Sequence, residues 1–127
     1  MEKQSIFEKV GGAPSIHVLV ELFYQKQLAD PVVKGFFKSV DLEKLKAHQR
    51  DFFTKVLGGP DNYKGRNLVD SHKNLYITEW HFDSVKKNLV DSLEELKVEK
   101  QIIEEVAVIV EGTRKDIVYK KPELHKG

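Results

Sequence analysis

The chain has 127 residues, of which 40% are hydrophobic and 32% charged, a composition typical of a soluble globular protein. Lysine and arginine number 21 against 20 aspartates and glutamates, without a basic block, so we expect neither nucleic acid nor a membrane surface as a partner. The absence of cysteine excludes disulfides, thiolate metal ligands and a cysteine nucleophile.

The length and the apolar segments predict a simple organisation. At this length we expect one domain, residues 1–127, without internal repeats. The N-terminus has no apolar region typical of a signal peptide, and no apolar run approaches the roughly 20 residues that a transmembrane helix needs. We therefore expect a soluble, cytoplasmic, monomeric protein.

Helix signals begin at the N-terminus. Ser5 and Glu8 have the spacing of a capping box, and the helix that they open is expected to stop at Gly11 and Gly12. The next helix is predicted to begin at Pro14 and to end by Asp30, which precedes a proline and caps the short turn that follows. One face of this helix carries Ile16, Val20, Phe23 and Tyr24.

The rest of the chain also has helical periodicity. Asp41 is a good N-cap for a helix from residue 42 that the glycines at 58 and 59 end, and a short helix is expected around 68–75. Thr78 caps a longer helix, and after a break near Val98 a last helix uses apolar positions between Ile102 and Ile117. Because no segment alternates like a β-strand, the predicted fold class is all-α.

Three of the predicted apolar faces contain a polar residue. Gln49 lies in the stripe formed by Leu42, Leu45, Phe52, Phe53 and Val56, and His48 lies at the edge of that stripe. His72 lies between Leu68 and Leu75, and Tyr24 shares the face of Val20 and Phe23. A lone buried histidine is more often a core residue bonded to a carbonyl. Three such residues on separate helices instead favour one apolar cavity with convergent polar groups, as in small-molecule sites.

The number of protein ligands limits what this cavity binds. A zinc site needs three or four ligands, and no histidine or carboxylate pair with suitable spacing surrounds His72. Ser71 adjoins His72 but points elsewhere on a helix, so a hydrolase is weakly supported. Haem supplies four nitrogens of its own and needs only one or two protein ligands in an apolar pocket.

The sequence resembles the group I (N-type) truncated haemoglobins over nearly its whole length and is similar to their cyanobacterial and protist members. The resemblance covers IFEKVGG, LFYQKQLADPVVKGFF, AHQRDFFTKVLGGPDNYKGRNL and DSHKNLYITEWHFDSV. Two glycine pairs, Phe23 with Tyr24, Phe36 with Phe37 and the later histidine occur together, in order and at the family's spacing. The resemblance implies a two-over-two helical sandwich around a non-covalent b-type haem.

The resemblance also implies roles for single residues. His72 corresponds to the proximal iron ligand, and Tyr24 and Gln49 to the distal pair that donates hydrogen bonds to bound dioxygen. Leu45 stands where larger globins often have a distal histidine. The expected pocket walls are Phe23, Phe37 and Phe53. Lys46, Arg66 and Lys73 are candidate partners of the haem propionates, although for each of these three charges a solvated position is about as common. Tyr63 is a further candidate partner.

Two roles are open for His48. It is a rim residue that meets a propionate, or it becomes a second iron ligand when no gas is bound, as the histidine at the matching position does in some cyanobacterial relatives. We favour ligation, because Leu45 cannot ligate and leaves the sixth position of the iron open. Those relatives also attach haem covalently through a histidine in the last helix. EGTRKDIV has none here, so no covalent attachment is expected. His81 is expected to be a capping or solvated residue and Trp80 a surface residue.

Several functions are compatible with these residues. Tight binding of dioxygen favours nitric oxide dioxygenation and detoxification of reactive species, with an unidentified reductase restoring the iron. Reversible oxygen storage or transport and redox or gas sensing are the alternatives, and a haem-free helical interaction module is more remote. The expected small-molecule partners are dioxygen, nitric oxide and carbon monoxide.

Overall fold

The computed structural model of the chain describes residues 5–59 and 77–118, and every regular element in these two ranges is a helix. In these ranges, no helix combines the length and the apolar character needed to cross a bilayer. The all-α prediction is confirmed. The elements are α1 (Ile6–Lys9), α2 (Gly12–Ala29), a 3-10 helix (Lys34–Phe37), α3 (Leu42–Val56), α4 (Glu79–Glu95), α5 (Lys100–Glu111) and α6 (Arg114–Ile117).

The predicted N-caps are present. The Ser5 hydroxyl accepts from the Glu8 backbone N–H, and the Glu8 carboxylate accepts from the Ser5 N–H. Asp41 accepts from the Lys44 N–H at 3.2 Å, and Thr78 caps α4. Each cap satisfies N–H groups that the first turn of a helix leaves without an intrahelical partner. Local sequence therefore determines where these helices begin.

Two predicted boundaries are wrong. Helix α2 begins at Gly12, not at Pro14. The last predicted helix is interrupted: α5 ends at Glu111, and α6 begins only at Arg114. The hydroxyl of Thr113 donates to the Val110 carbonyl at 2.6 Å, a local bond that competes with helix continuation. The predicted break near Val98 is confirmed, whereas the short helix expected at 68–75 lies outside the described residues.

Helix α2 lies at the centre of the packing. It contacts α3 on one side and α4 on another, and α4 packs in turn against α5. Helix α1 contacts both α2 and α5. The buried side chains of these contacts form the core: Ile16, Leu19, Val20, Phe23, Tyr24, Phe53, Leu57, Leu89, Leu93, Ile103 and Val106. Burial of this apolar surface is the main force that holds the helices together.

The second glycine pair attaches α1 to the end of α3. A Cβ atom on Gly59 would lie 2.7 Å from the Phe7 ring, so a larger residue would displace that ring. Gly58 has a φ of 89°, a conformation that other residues rarely adopt. The Phe7 N–H also donates to the Leu57 carbonyl at 2.8 Å. The pair therefore both ends α3 and permits close contact with α1.

Arg114 connects the beginning of α4 to the end of α5. Its guanidinium forms ion pairs with Glu79, Asp83 and Glu111, and it lies 4.4 Å above the centroid of the Phe82 ring. Hydrogen bonds from Arg114 and Lys86 lower the pKa of Glu111 from its ordinary value of 4.5 to about 2. The three carboxylates are exposed, so solvent weakens each pair, but one partly buried guanidinium pairs with all three.

Replacement of Arg114 with alanine is expected to lower the thermal midpoint by a few degrees at pH 7, and lysine should restore part of the loss. The depressed pKa of Glu111 means that its share of the stabilisation is fully present above pH 4.5 and is lost as the pH falls to about 2. The difference between wild type and Arg114→Ala should therefore shrink over that range in calorimetric scans. A difference that did not depend on pH would contradict the role given to Glu111.

Candidate functional site

One apolar cavity of about 450 Å³ lies between the central helices. Its walls come from α2, the 3-10 helix, α3, α4, α5 and α6. Apolar walls, a few polar groups and a volume of this order are typical of small-molecule sites. The described polar residues that line it are Tyr24, Gln27, His48, Gln49, His81 and Thr113.

Tyr24 and Gln49 form a hydrogen-bonded pair across this cavity. The Tyr24 hydroxyl, on α2, donates to Oε1 of Gln49, on α3, at 3.1 Å. The amide Nε2 of Gln49 keeps its two donor hydrogens beyond this bond. The polar break in the apolar stripe of α3 is therefore explained by a tyrosine hydroxyl on the facing helix.

The Tyr24 side chain is fixed and stays protonated. It is only 3% exposed, and its ring lies edge-on to Phe23 and Phe37, with centroids 5.3 and 5.7 Å away. Burial raises the pKa of the Tyr24 phenol well above its ordinary value, because an apolar environment disfavours the phenolate. Tyr24 therefore remains a hydrogen-bond donor throughout the physiological pH range.

The structure brings the other predicted pocket residues that it describes to the same cavity. Phe23, Phe37, Leu45 and Phe53 form part of its walls, and His48 lines it with an exposed side chain. Their predicted roles toward haem remain predictions. His72 and Tyr63, which we expect to ligate iron and to approach a propionate, lie outside the described residues.

Lys46, a candidate propionate partner, is paired within the protein. Its ammonium group lies 2.9 Å from a carboxylate oxygen of Glu21 on α2 and 3.6 Å from one of Glu43. The hydrogen bond between Lys46 and Glu21 raises the pKa of the lysine and lowers that of the glutamate. Lys46 thus connects α3 to α2.

Sequence reasoning missed three polar residues of the cavity: Gln27, His81 and Thr113. Gln27 is buried, and its Oε1 accepts a hydrogen bond of 2.7 Å from Nδ2 of Asn88 on α4. It lies three residues after Tyr24 and four after Phe23, so extending that stripe by one turn would have found it. His81 caps α4 as expected, but it also lines the cavity, which its local sequence does not reveal.

Comparison with known proteins agrees with this architecture. The family model described as bacterial-like globin matches residues 5–119. The chain is 46% identical over 121 residues to a group 1 truncated haemoglobin of Tetrahymena thermophila, covering 94% of this chain and 100% of the relative. A similar protein from Synechocystis is 38% identical, covering 83% of this chain and 88% of its own length.

Solved structures of truncated haemoglobins also resemble this chain. The Fe(III) form of the truncated haemoglobin of Tetrahymena pyriformis superposes with a TM-score of 0.90 at 44% identity, covering 92% of this chain and 100% of that one. A 2/2 haemoglobin from Synechococcus, with covalently attached haem, has a TM-score of 0.84 at 41% identity and covers 89% and 95% of the two chains. The fold is that of a two-over-two globin. The chain belongs to the bacterial-like globins, as a group 1 truncated haemoglobin.

Membership of this family implies a haem group and the binding of diatomic gases, and the cavity is suited to both. The porphyrin is a largely apolar ring, and the cavity walls are mainly aromatic and aliphatic. A gas molecule that gains negative charge on binding needs fixed hydrogen-bond donors, and Tyr24 and Gln49 place a hydroxyl and an amide in an environment of low dielectric. The donors and the walls therefore fit the group that the family implies.

Proposed function

We propose that the protein binds a non-covalent b-type haem and uses it to convert nitric oxide to nitrate, as a defence against reactive nitrogen and oxygen species. The observation that carries the proposal is the hydrogen bond of Tyr24 to Gln49 inside an apolar cavity. Haem, when bound, supplies an iron that binds diatomic gases and exchanges single electrons. His72 is the proposed protein ligand to that iron.

The proposed work of the distal residues is to hold the gas. The Gln49 amide has donor hydrogens beyond its bond to Tyr24, and rotation of the Tyr24 hydroxyl makes it a second donor. Because both groups are fixed before the ligand arrives, little reorganisation is required when charge develops. Phe23, Phe37 and Phe53 exclude water and lower the local dielectric.

Strong retention of dioxygen supports detoxification over bulk oxygen delivery. Two fixed donors slow the release of a polarised ligand, whereas delivery needs ready release. In the proposed reaction nitric oxide and dioxygen combine with one electron to give nitrate. The electron comes from an external reductase of the flavoprotein class, so the catalysis depends on that partner.

The proposal is tested with the purified protein reconstituted with haem. A Soret band should appear on haem addition. Each oxygenated protein molecule should then consume one nitric oxide and yield one nitrate. With a flavin reductase and its nicotinamide donor, consumption should continue over many turnovers. Binding without nitrate formation would favour the storage alternative, and a protein that takes up no haem would overturn the whole proposal.

The proposal includes His48 as a second iron ligand in the gas-free protein. His48 lines the cavity from an exposed position, next in sequence to Gln49. Adjacent residues on a helix point about 100° apart, so His48 ligates only if α3 shifts or locally unwinds. An incoming gas must then wait until His48 leaves.

Spectra of a His48→Leu variant test this role. The wild type is expected to be low-spin in both oxidation states, and the variant should become high-spin or water-bound and bind carbon monoxide faster. His17→Leu, a histidine exposed on α2, is the matched control and should change nothing. A wild type that is already high-spin and a variant with the same spectrum would establish His48 as a rim residue.

A further inference from the structure

His81 has two environments at once. Its Nδ1 lies 3.0 Å from the Thr78 backbone N–H and closes the capping box of α4. Its ring lies edge-on to Phe36, with centroids 5.0 Å apart, and both residues line the cavity. The usual residue at this position of a capping box is glutamate or glutamine, which would complete the cap equally well. Capping alone therefore does not explain a histidine here.

The cap determines which nitrogen of His81 carries the proton. A backbone N–H can only donate, so Nδ1 must accept from Thr78 and is unprotonated. The neutral ring then has its hydrogen on Nε2, which makes this nitrogen a donor. The hydrogen bonds that His81 makes within residues 5–59 and 77–118 use Nδ1 and the backbone N–H, and none uses Nε2.

The lysine and arginine side chains discussed above are not available as donors to an anion in the cavity. Arg114 is occupied by three carboxylates, Lys86 pairs with Glu111, and Lys46 pairs with Glu21. None of these cations lines the cavity, and in the described part of the chain its wall contains no lysine or arginine. An anionic group in the cavity near α4 would thus find a histidine N–H as its donor.

We propose that Nε2 of His81 donates a hydrogen bond to a haem carboxylate and so helps to retain the cofactor. The proposal rests on the proposed haem binding and adds a carboxylate-binding residue at the beginning of α4. His81 would act through a donor whose tautomer Thr78 fixes. Substitution of His81 should therefore not change the rate at which a cofactor without carboxylate charges is lost.

The experiment compares His81→Gln with His81→Glu. Both residues complete a capping box, so both variants should keep α4 intact and have matching thermal midpoints as apoproteins. Glutamine still offers an N–H to a carboxylate, whereas glutamate offers only a repelling charge. Haem loss is measured by transfer to excess apomyoglobin, once with native haem and once with haem dimethyl ester.

With native haem, His81→Glu is expected to lose the cofactor about 10- to 150-fold faster than wild type, the range for a lost hydrogen bond to a charged group. His81→Gln should stay within about threefold of wild type. With the dimethyl ester, the three proteins should differ by less than about twofold. In wild type with isotope-labelled histidine, the Nε2 proton resonance of His81 should also shift between the two cofactors.

Each other outcome overturns the proposal. If both variants lose native haem and the dimethyl ester at the same increased rate, His81 contributes only through the capping box of α4 or through packing in the cavity wall. If neither variant changes the loss of native haem and the resonance is the same with both cofactors, His81 does not contact a carboxylate. If wild type binds neither cofactor, the proposed haem function itself fails, which separates the two conclusions.

Discussion

Replacement of His72 with alanine is expected to abolish stable haem binding, with most of the cofactor lost during purification or soon after transfer to added apomyoglobin begins. The reason is that His72 is the proposed protein ligand on the proximal side, and the remaining contacts, including His48, which ligates only when α3 shifts, should not hold haem firmly without it. The Soret band measures the result. Added imidazole should restore part of it by replacing the missing ligand.

The control for this variant is His17→Ala, which removes an exposed histidine of α2 and should retain haem fully. Circular dichroism of both apoproteins separates loss of the ligand from loss of the fold. Full and stable haem retention by His72→Ala, without imidazole, would show that another residue holds the iron.

The helix boundaries that could be predicted from sequence are those determined by neighbouring residues. Asp41 and Thr78 cap their helices as expected, because an N-cap needs only a side-chain oxygen and an N–H two or three residues later. The end of α5 is different. The bond from Thr113 to the Val110 carbonyl interrupts an apolar pattern that continues to Ile117, and a periodicity that follows side chains does not detect it.

The same distinction applies to the site: that a buried polar residue needs a partner could be predicted, whereas the identity of a distant partner could not. Gln49 could be identified because a polar residue in an apolar stripe needs a partner, and the structure supplies Tyr24. Which partner a charged residue takes could not be predicted, since Lys46 pairs with Glu21 of another helix. Gln27 continues the stripe of Tyr24 and could have been identified in the same way, but its partner Asn88, 61 residues further along the chain, could not be predicted.

The buried polar bonds indicate how the cavity keeps its shape before a ligand binds. Asn88 donates to Gln27 and to Asp30, which ties α4 to the end of α2. Asp30 also accepts from the Val32 N–H at 2.9 Å, at the beginning of the segment that carries Phe37. These bonds hold the backbone beside Tyr24, so the position of its ring is determined by packing and not by the ligand.

The second large effect is expected for the distal pair. Tyr24→Phe and Gln49→Leu should each accelerate dioxygen dissociation by roughly 5- to 150-fold, the range for the loss of one hydrogen bond to a partly charged ligand at about 1 to 3 kcal/mol. Stopped-flow displacement of dioxygen by carbon monoxide measures the rates. Thr113→Val, which removes a hydroxyl of the same cavity that is bonded to its own backbone, is the control and should leave the rate unchanged.

The double variant is the more informative measurement, because Tyr24 and Gln49 are bonded to each other as well as directed at the ligand. When one partner is removed, the other loses both its orientation and part of its polarisation, so each single variant already includes a share of the other's effect. The double variant should therefore dissociate dioxygen more slowly than the product of the two single effects predicts. Purely multiplicative rates would mean that the two residues act independently, and unchanged rates in both single variants would mean that the ligand lies elsewhere in the cavity.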